Sequence, residues 1–134
     1  MAHRYEVGPD SGRCVARAAE DLQGTLGARL TAYAVGLRDS RLIDSFARQE
    51  EDPRPETADR ICDLHEITQC LVERETKDTA RAWMVGSSPL LDDRAPVEVL
   101  HEQSRTPARR LGGRTATDGF ERVQQAANVY LGAA

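Results

Sequence analysis

Apolar residues recur at intervals of three and four along most of this chain, which is the period of an amphipathic helix. The clearest run is Ile61, Leu64, Ile67 and Leu71. The pattern predicts helices over about residues 13–23, 25–35, 40–48, 55–77, 79–85, 96–100 and 120–131. No segment alternates apolar and polar residues over a useful length, so the predicted fold class is all-α.

Glycine and proline mark the breaks between these helices. We expect Gly24 to separate the first two helices, and Gly36 to end the second in the left-handed conformation. Asp39 or Ser40 is suited to cap the start of the third helix. The run from Glu50 to Pro55, with two prolines and three acids, ends this helix before the fourth begins at about residue 55. The residues expected on buried faces include Leu26, Leu30, Tyr33, Ala34, Ile43, Phe46, Trp83, Met84, Val85, Phe120 and Val123.

Two segments show no apolar period. Residues 1–12 mix glycine, proline and polar residues, and are predicted to form a mobile tail. Residues 103–118 contain Pro107, Gly112 and Gly113 and are predicted to form a mobile loop before the last helix.

The second and third predicted helices have the lengths and the short connecting turn of a helix-turn-helix. In such a unit the second helix enters the major groove of DNA. Its polar side here offers hydroxyl and guanidinium groups that suit phosphates and base edges. The candidate DNA-binding residues are Arg38, Ser40, Arg41, Ser45 and Arg48.

A helical hairpin with solvated arginines explains the same residues. Glu50, Glu51 and Asp52 follow the third helix closely and would repel phosphate if they faced a duplex. Asp44 would need a base amino group as its partner. From spacing alone, both interpretations stay open.

The run from Ala80 to Leu100, ARAWMVGSSPLLDDRAPVEVL, carries the single tryptophan and predicts a helix, a tight loop and a second helix. Gly86 and Pro89 define the loop. With LGARLTAYAVGL, RLIDSFA, PRPETADRICDLHEI and the late VQQAANVYL, this run resembles the MbcA/ParS/Xre antitoxins. The resemblance covers most of the chain from about Leu22.

This resemblance implies an Xre-type helix-turn-helix domain over residues 13–78 and a toxin-binding domain over residues 79–134. It implies a homodimer that binds operator DNA and neutralises a RES-type, NAD-degrading toxin by covering its active site. Trp83, Pro89, Leu90 and Leu91 would shape the second domain. The residues implied to contact the toxin are Asn128, Tyr130, Leu131, Gly132, Ala133 and Ala134.

Composition narrows the function classes. A net charge of −4 argues against a sequence-independent nucleic-acid coat. No apolar run approaches the roughly 18 residues of a membrane span, and no secretory leader is visible, so a cytoplasmic location is expected. Three widely spaced cysteines indicate thiols rather than a disulfide framework.

No constellation favours catalysis, so the chain is predicted not to be an enzyme and to need no cofactor. Cys62, His65 and Cys70 lack a fourth zinc ligand, and buried thiols with a surface histidine explain them more simply. The alternative function is a helix-turn-helix regulator or adaptor whose C-terminal part dimerises or binds a protein other than a toxin.

Overall fold

The computed structural model of the protein describes residues 11–105 and 118–132. Over these ranges there are seven α-helices and no strand, so the prediction of an all-α fold is confirmed. The helices are α1 (Ser11–Thr25), α2 (Ala28–Val35), α3 (Arg41–Ala47), α4 (Pro55–Arg74), α5 (Lys77–Val85), α6 (Pro96–Arg105) and α7 (Asp118–Tyr130). A single 3-10 turn, Pro89–Leu91, connects α5 to α6.

One hydrophobic core runs through all seven helices. α1 packs against α3 and α4, while α2 packs against α6 and α4 packs against α7. The largest fully buried side chains are spread along the described chain and include Leu22, Leu26, Ile43, Ile61, Leu64, Ile67, Leu71, Met84, Leu91, Leu100 and Val123.

The breaks between helices follow glycine, proline and capping chemistry, but not always where predicted. The prediction that Gly24 separates the first two helices was wrong, because α1 continues to Thr25. The break lies at Gly27, which has a positive φ of 88°. Burial of Leu22 and Leu26 offsets the cost of about 1 kcal/mol for a glycine inside a helix.

Gly36 ends α2 as predicted, with a left-handed φ of 81°. A side chain there would also be obstructed, since an added Cβ would lie 2.8 Å from the Cβ of Ser104. The backbone at the end of α2 therefore approaches α6 more closely than a residue other than glycine at position 36 would allow.

α4 is shorter than predicted. It begins at Pro55, which needs no N–H partner in the first turn, and it ends at Arg74 rather than near Lys77. Thr76 then caps α5, because its hydroxyl accepts a hydrogen bond from the backbone N–H of Thr79 at 3.1 Å. Lys77 belongs to α5.

Three further predictions are corrected. Tyr33 and Val85, predicted to be buried, are exposed, and Leu30 and Trp83, also predicted to be buried, are half-buried. The predicted loop 103–118 is wrong at both ends, because residues 103–105 form the last turn of α6, where Ser104 is buried, and Asp118 begins α7. Residues 11 and 12 were assigned to the tail and lie in α1; the rest of that tail and residues 106–117 lie outside the described ranges.

Candidate functional site

The predicted DNA-binding residues occupy the turn before α3 and one side of α3. Arg38, Arg41 and Arg48 are exposed, while Ser40 and Ser45 are half-buried. Ile43 and Phe46 anchor the opposite side of the helix in the core. The five residues therefore lie in the turn before α3, on α3 itself and at its C-terminal end, where Arg48 is the C-cap.

Asp39 provides the cap at the start of α3. Its Oδ1 accepts a hydrogen bond from the backbone N–H of Arg41 at 2.9 Å. The side chain of Ser40, the other predicted cap, makes no capping hydrogen bond. The carboxylate of Asp39 thus closes the first turn of α3 and lies next to the Arg41 side chain.

Arg41 at the start of α3 and Arg48 just after its end are both paired with nearby acids. The guanidinium of Arg41 donates from Nε to Oδ1 and from Nη2 to Oδ2 of Asp39, each at 3.1 Å. Arg48 Nε lies 2.9 Å from Asp44 Oδ2. These pairs cancel much of the positive charge that would attract phosphate.

The hydrogen bonds between Asp39 and Arg41 also move their protonation equilibria. They lower the pKa of Asp39 from its usual value and raise the pKa of Arg41. Both groups therefore stay charged at neutral pH, and the pair is lost only when the pH falls through the lowered pKa of Asp39.

The predicted toxin-binding residues lie at the end of α7. Tyr130 is exposed and Leu131 half-buried, while Gly132 has a left-handed φ of 74° that ends the helix. Asn128 is half-buried and its Oδ1 accepts a hydrogen bond from Gln124 Nε2 at 3.2 Å. Ala133 and Ala134 lie outside the described residues.

Two long-range contacts hold the end of α7 against the rest of the fold. The rings of Tyr130 and Trp83 lie with centroids 5.9 Å apart and tilted by 37°. Arg74, at the end of α4, donates a hydrogen bond from Nη1 to the carbonyl oxygen of Leu131 at 3.3 Å. This end of α7 is therefore positioned by α4 and α5.

An apolar surface adjoins the end of α7. Leu90 on the 3-10 turn and Val129 on α7 are 54% and 48% exposed and line one cavity of about 190 Å³. Tyr130 is 46% exposed and contacts Trp83. We refer to Trp83, Leu90, Val129 and Tyr130 as the C-terminal apolar surface.

Sequence reasoning missed Val129 as part of this surface. A signal was present, because Phe120, Val123 and Ala127 recur at helical spacing and are buried. Val129 falls off that stripe by helical rotation, so its apolar side chain has no place in the core.

The two predicted halves meet along a seam between α2 and α6. Ser104 Oγ donates to the carbonyl oxygen of Ala34 at 2.9 Å, and His101 Nδ1 lies 2.8 Å from that of Tyr33. The rings of Tyr33 and His101 stack with centroids 3.9 Å apart. Two side chains of α6 thus form hydrogen bonds with backbone carbonyl oxygens at the C-terminal end of α2.

Metal-ligating side chains do not converge within residues 11–105 and 118–132: no group of three or more His, Cys, Asp or Glu there could hold a metal ion. His65 Nε2 instead lies 2.9 Å from Asp21 Oδ2, joining α4 to α1. Among the described helices, none has the length and apolar content needed to cross a bilayer.

Comparisons of the chain with protein-family models, with curated proteins and with solved structures found no match.

Proposed function

We propose that the protein is an antitoxin of the MbcA/ParS/Xre type. In this proposal the C-terminal half binds and covers the active site of a RES-type, NAD-degrading toxin. The α2–α3 hairpin binds operator DNA as a homodimer in the cytoplasm and represses the operon. Neither act requires a catalytic residue or a cofactor.

The observation that carries the proposal is the C-terminal apolar surface. Two aliphatic side chains and two aromatic rings lie there on well-packed elements, and three of the four are about half exposed. Aromatic anchors on a rigid base are typical of protein-binding surfaces, because little conformational entropy is lost when they bind. A protein partner for this half of the chain accounts for that exposure.

Neutralisation is tested by co-expression with the product of the adjacent reading frame. We expect the full chain to restore growth and cellular NAD, and the Tyr130→Ala variant to lose protection because an anchor ring is removed. Val85→Ala is the matched control, since Val85 is 52% exposed on the same half but outside the apolar surface.

If Tyr130→Ala protects as well as Val85→Ala does, the apolar surface is not the contact and this part of the proposal is wrong. If expression of the neighbouring product alone does not harm growth, that product is not a toxin and the proposed neutralisation is wrong. The second candidate function, a regulator whose C-terminal half binds another protein, would then be favoured by the exposed arginines of α3.

The two activities are expected to separate by mutation. Arg41→Ala removes an exposed guanidinium of α3 and should abolish specific binding to the DNA upstream of the gene. Growth protection should be unchanged, because Arg41 lies on α3 and the apolar surface lies on α5, the 3-10 turn and α7. Gel-shift titration and the growth assay measure the two effects; loss of both activities would contradict the two-part proposal.

A further inference from the structure

The Arg41 side chain is held in a defined orientation although it is 90% exposed. Its Nε–H and one Nη2–H meet the two oxygens of Asp39, each at 3.1 Å. Asp39 is itself fixed, because Oδ1 also accepts the backbone N–H of Arg41. Two hydrogen bonds to a carboxylate that is itself anchored leave this guanidinium less freedom than an isolated surface arginine has.

The geometry of these bonds determines which edge of the guanidinium remains available. Arginine carries five N–H donors in a rigid plane, and Asp39 occupies the edge formed by Nε and Nη2. The outer edge, formed by Nη1 and Nη2, points away from the carboxylate. That outer edge matches the O6 and N7 acceptors of guanine in the major groove.

Arg48, seven residues later, also has an acid beside it. Asp44 Oδ2 lies 2.9 Å from its Nε, a single contact, whereas Asp39 meets two nitrogens of Arg41. Asp44 is anchored from a second helix, since Gln23 Nε2 on α1 donates to its Oδ1 at 3.4 Å. Seven residues place the two arginines about 10.5 Å apart along the axis and on nearly the same side.

The acids have a second effect, on affinity rather than orientation. Arginine without a neighbouring acid attracts any phosphate, whatever the sequence of the DNA. A carboxylate beside each arginine cancels that attraction and repels the backbone. Specific binding loses less affinity, because the outer edge of the guanidinium still meets guanine. The ratio of specific to non-specific affinity therefore rises.

From this geometry we infer that Asp39 is a positioning residue of the DNA-binding face, which orients Arg41 toward guanine. Together with Asp44 it also suppresses binding that does not depend on sequence. The inference rests on the proposed operator binding and adds which base the face recognises and how it rejects other DNA.

The test uses the full chain and a library of random duplex DNA. Wild-type protein selects its preferred duplex, which we expect to contain guanine at a fixed position. Titrations then compare that duplex, the same duplex with this guanine·cytosine pair changed to adenine·thymine, and a scrambled duplex. Asp39→Asn is the main variant, because asparagine caps a helix as well as aspartate does.

Asp39→Asn should bind the scrambled duplex more tightly than wild type does, and its preference for guanine over adenine should fall by about fivefold or more, within the range of a bidentate base contact. Asp52→Asn is the control, since it removes one exposed acid just beyond α3. It should tighten binding to all three duplexes equally and leave the guanine preference unchanged.

Unchanged discrimination in Asp39→Asn would overturn the inference and leave operator binding in place. A selected sequence without a fixed guanine would overturn it as well. If wild-type protein binds no duplex, the inference falls together with the DNA-binding half of the proposed function. Growth protection by the C-terminal half is measured separately, so a failure of DNA binding can be distinguished from a failure of toxin neutralisation.

Discussion

At the residue scale, Gly24 and Gly36 meet opposite physical demands. Gly24 lies inside α1, with only the Nζ of Lys77 near a would-be Cβ, at 3.9 Å. Gly36 has a left-handed φ of 81°, and its would-be Cβ lies 2.8 Å from Ser104 Cβ. One glycine costs helix stability, whereas the other permits the contact between α2 and α6.

The same substitution should therefore have opposite effects at the two positions. We expect Gly24→Ala to raise the free energy of unfolding by about 0.5–1 kcal/mol, because alanine has the better helix propensity. Gly36→Ala should lower it by about 1–3 kcal/mol through backbone strain, in addition to the clash. Urea unfolding followed by circular dichroism measures both, and a change of the same sign in the two variants would contradict this account.

At the element scale, the ends of helices are completed by side chains that are distant in sequence. Ser104 on α6 is buried and bonds to the carbonyl of Ala34, seventy residues earlier. Arg74 on α4 bonds to the carbonyl of Leu131 at the end of α7. Helices too short to be stable alone are thus stabilised by their neighbours.

Removal of the Ser104 hydroxyl should weaken the seam between α2 and α6. We expect Ser104→Ala to cost about 1 kcal/mol, since a buried hydrogen bond is lost and the carbonyl of Ala34 loses a partner. Ser87→Ala, at an exposed serine in the preceding loop, should leave the free energy of unfolding unchanged. Equal stability of the two variants would show that the seam bond contributes nothing.

Local chemistry predicted most elements, and long-range packing decided the rest. The positive φ at Gly36 and the start of α4 at Pro55 follow from single residues, and both were predicted. Tyr33 was misplaced because its ring stacks on His101, and no helical period reveals a partner so far along the chain. α6 extends beyond its apolar pattern because Ser104 finds a buried acceptor on α2.

The sequence predicted only part of the candidate site. The spacing of α2 and α3 indicated which arginines would be exposed. It did not indicate that Asp39 would occupy one edge of the Arg41 guanidinium or that Asp44 would lie beside Arg48, because both depend on side-chain rotamers and the second also on Gln23 of another helix. The apolar surface joins α5, the 3-10 turn and α7, whose proximity only the tertiary fold creates.

At the scale of the whole molecule, contacts between α2 and α6 and between α4 and α7 cross the predicted boundary at residue 78. The core is continuous from Leu22 to Val123. Cooperative unfolding follows from such continuity, because neither half keeps its buried surface without the other.

Trp83 provides a probe of that cooperativity, since it is the single tryptophan. We expect the urea midpoint from its fluorescence to coincide with the midpoint from circular dichroism, which reports all helices. Ser104→Ala should shift both midpoints together. A fluorescence transition that precedes the loss of helix would mean that the C-terminal half unfolds by itself.

The bond between Ser104 and Ala34 also has a consequence for synthesis on the ribosome. α2 leaves the exit tunnel seventy residues before the serine that completes it. At about 5–20 residues per second, that interval lasts roughly 4–14 seconds. A chain broken off before α6 would lack this partner permanently. Such fragments should be cleared by proteases, so the cell would not accumulate an N-terminal half that lacks its C-terminal half.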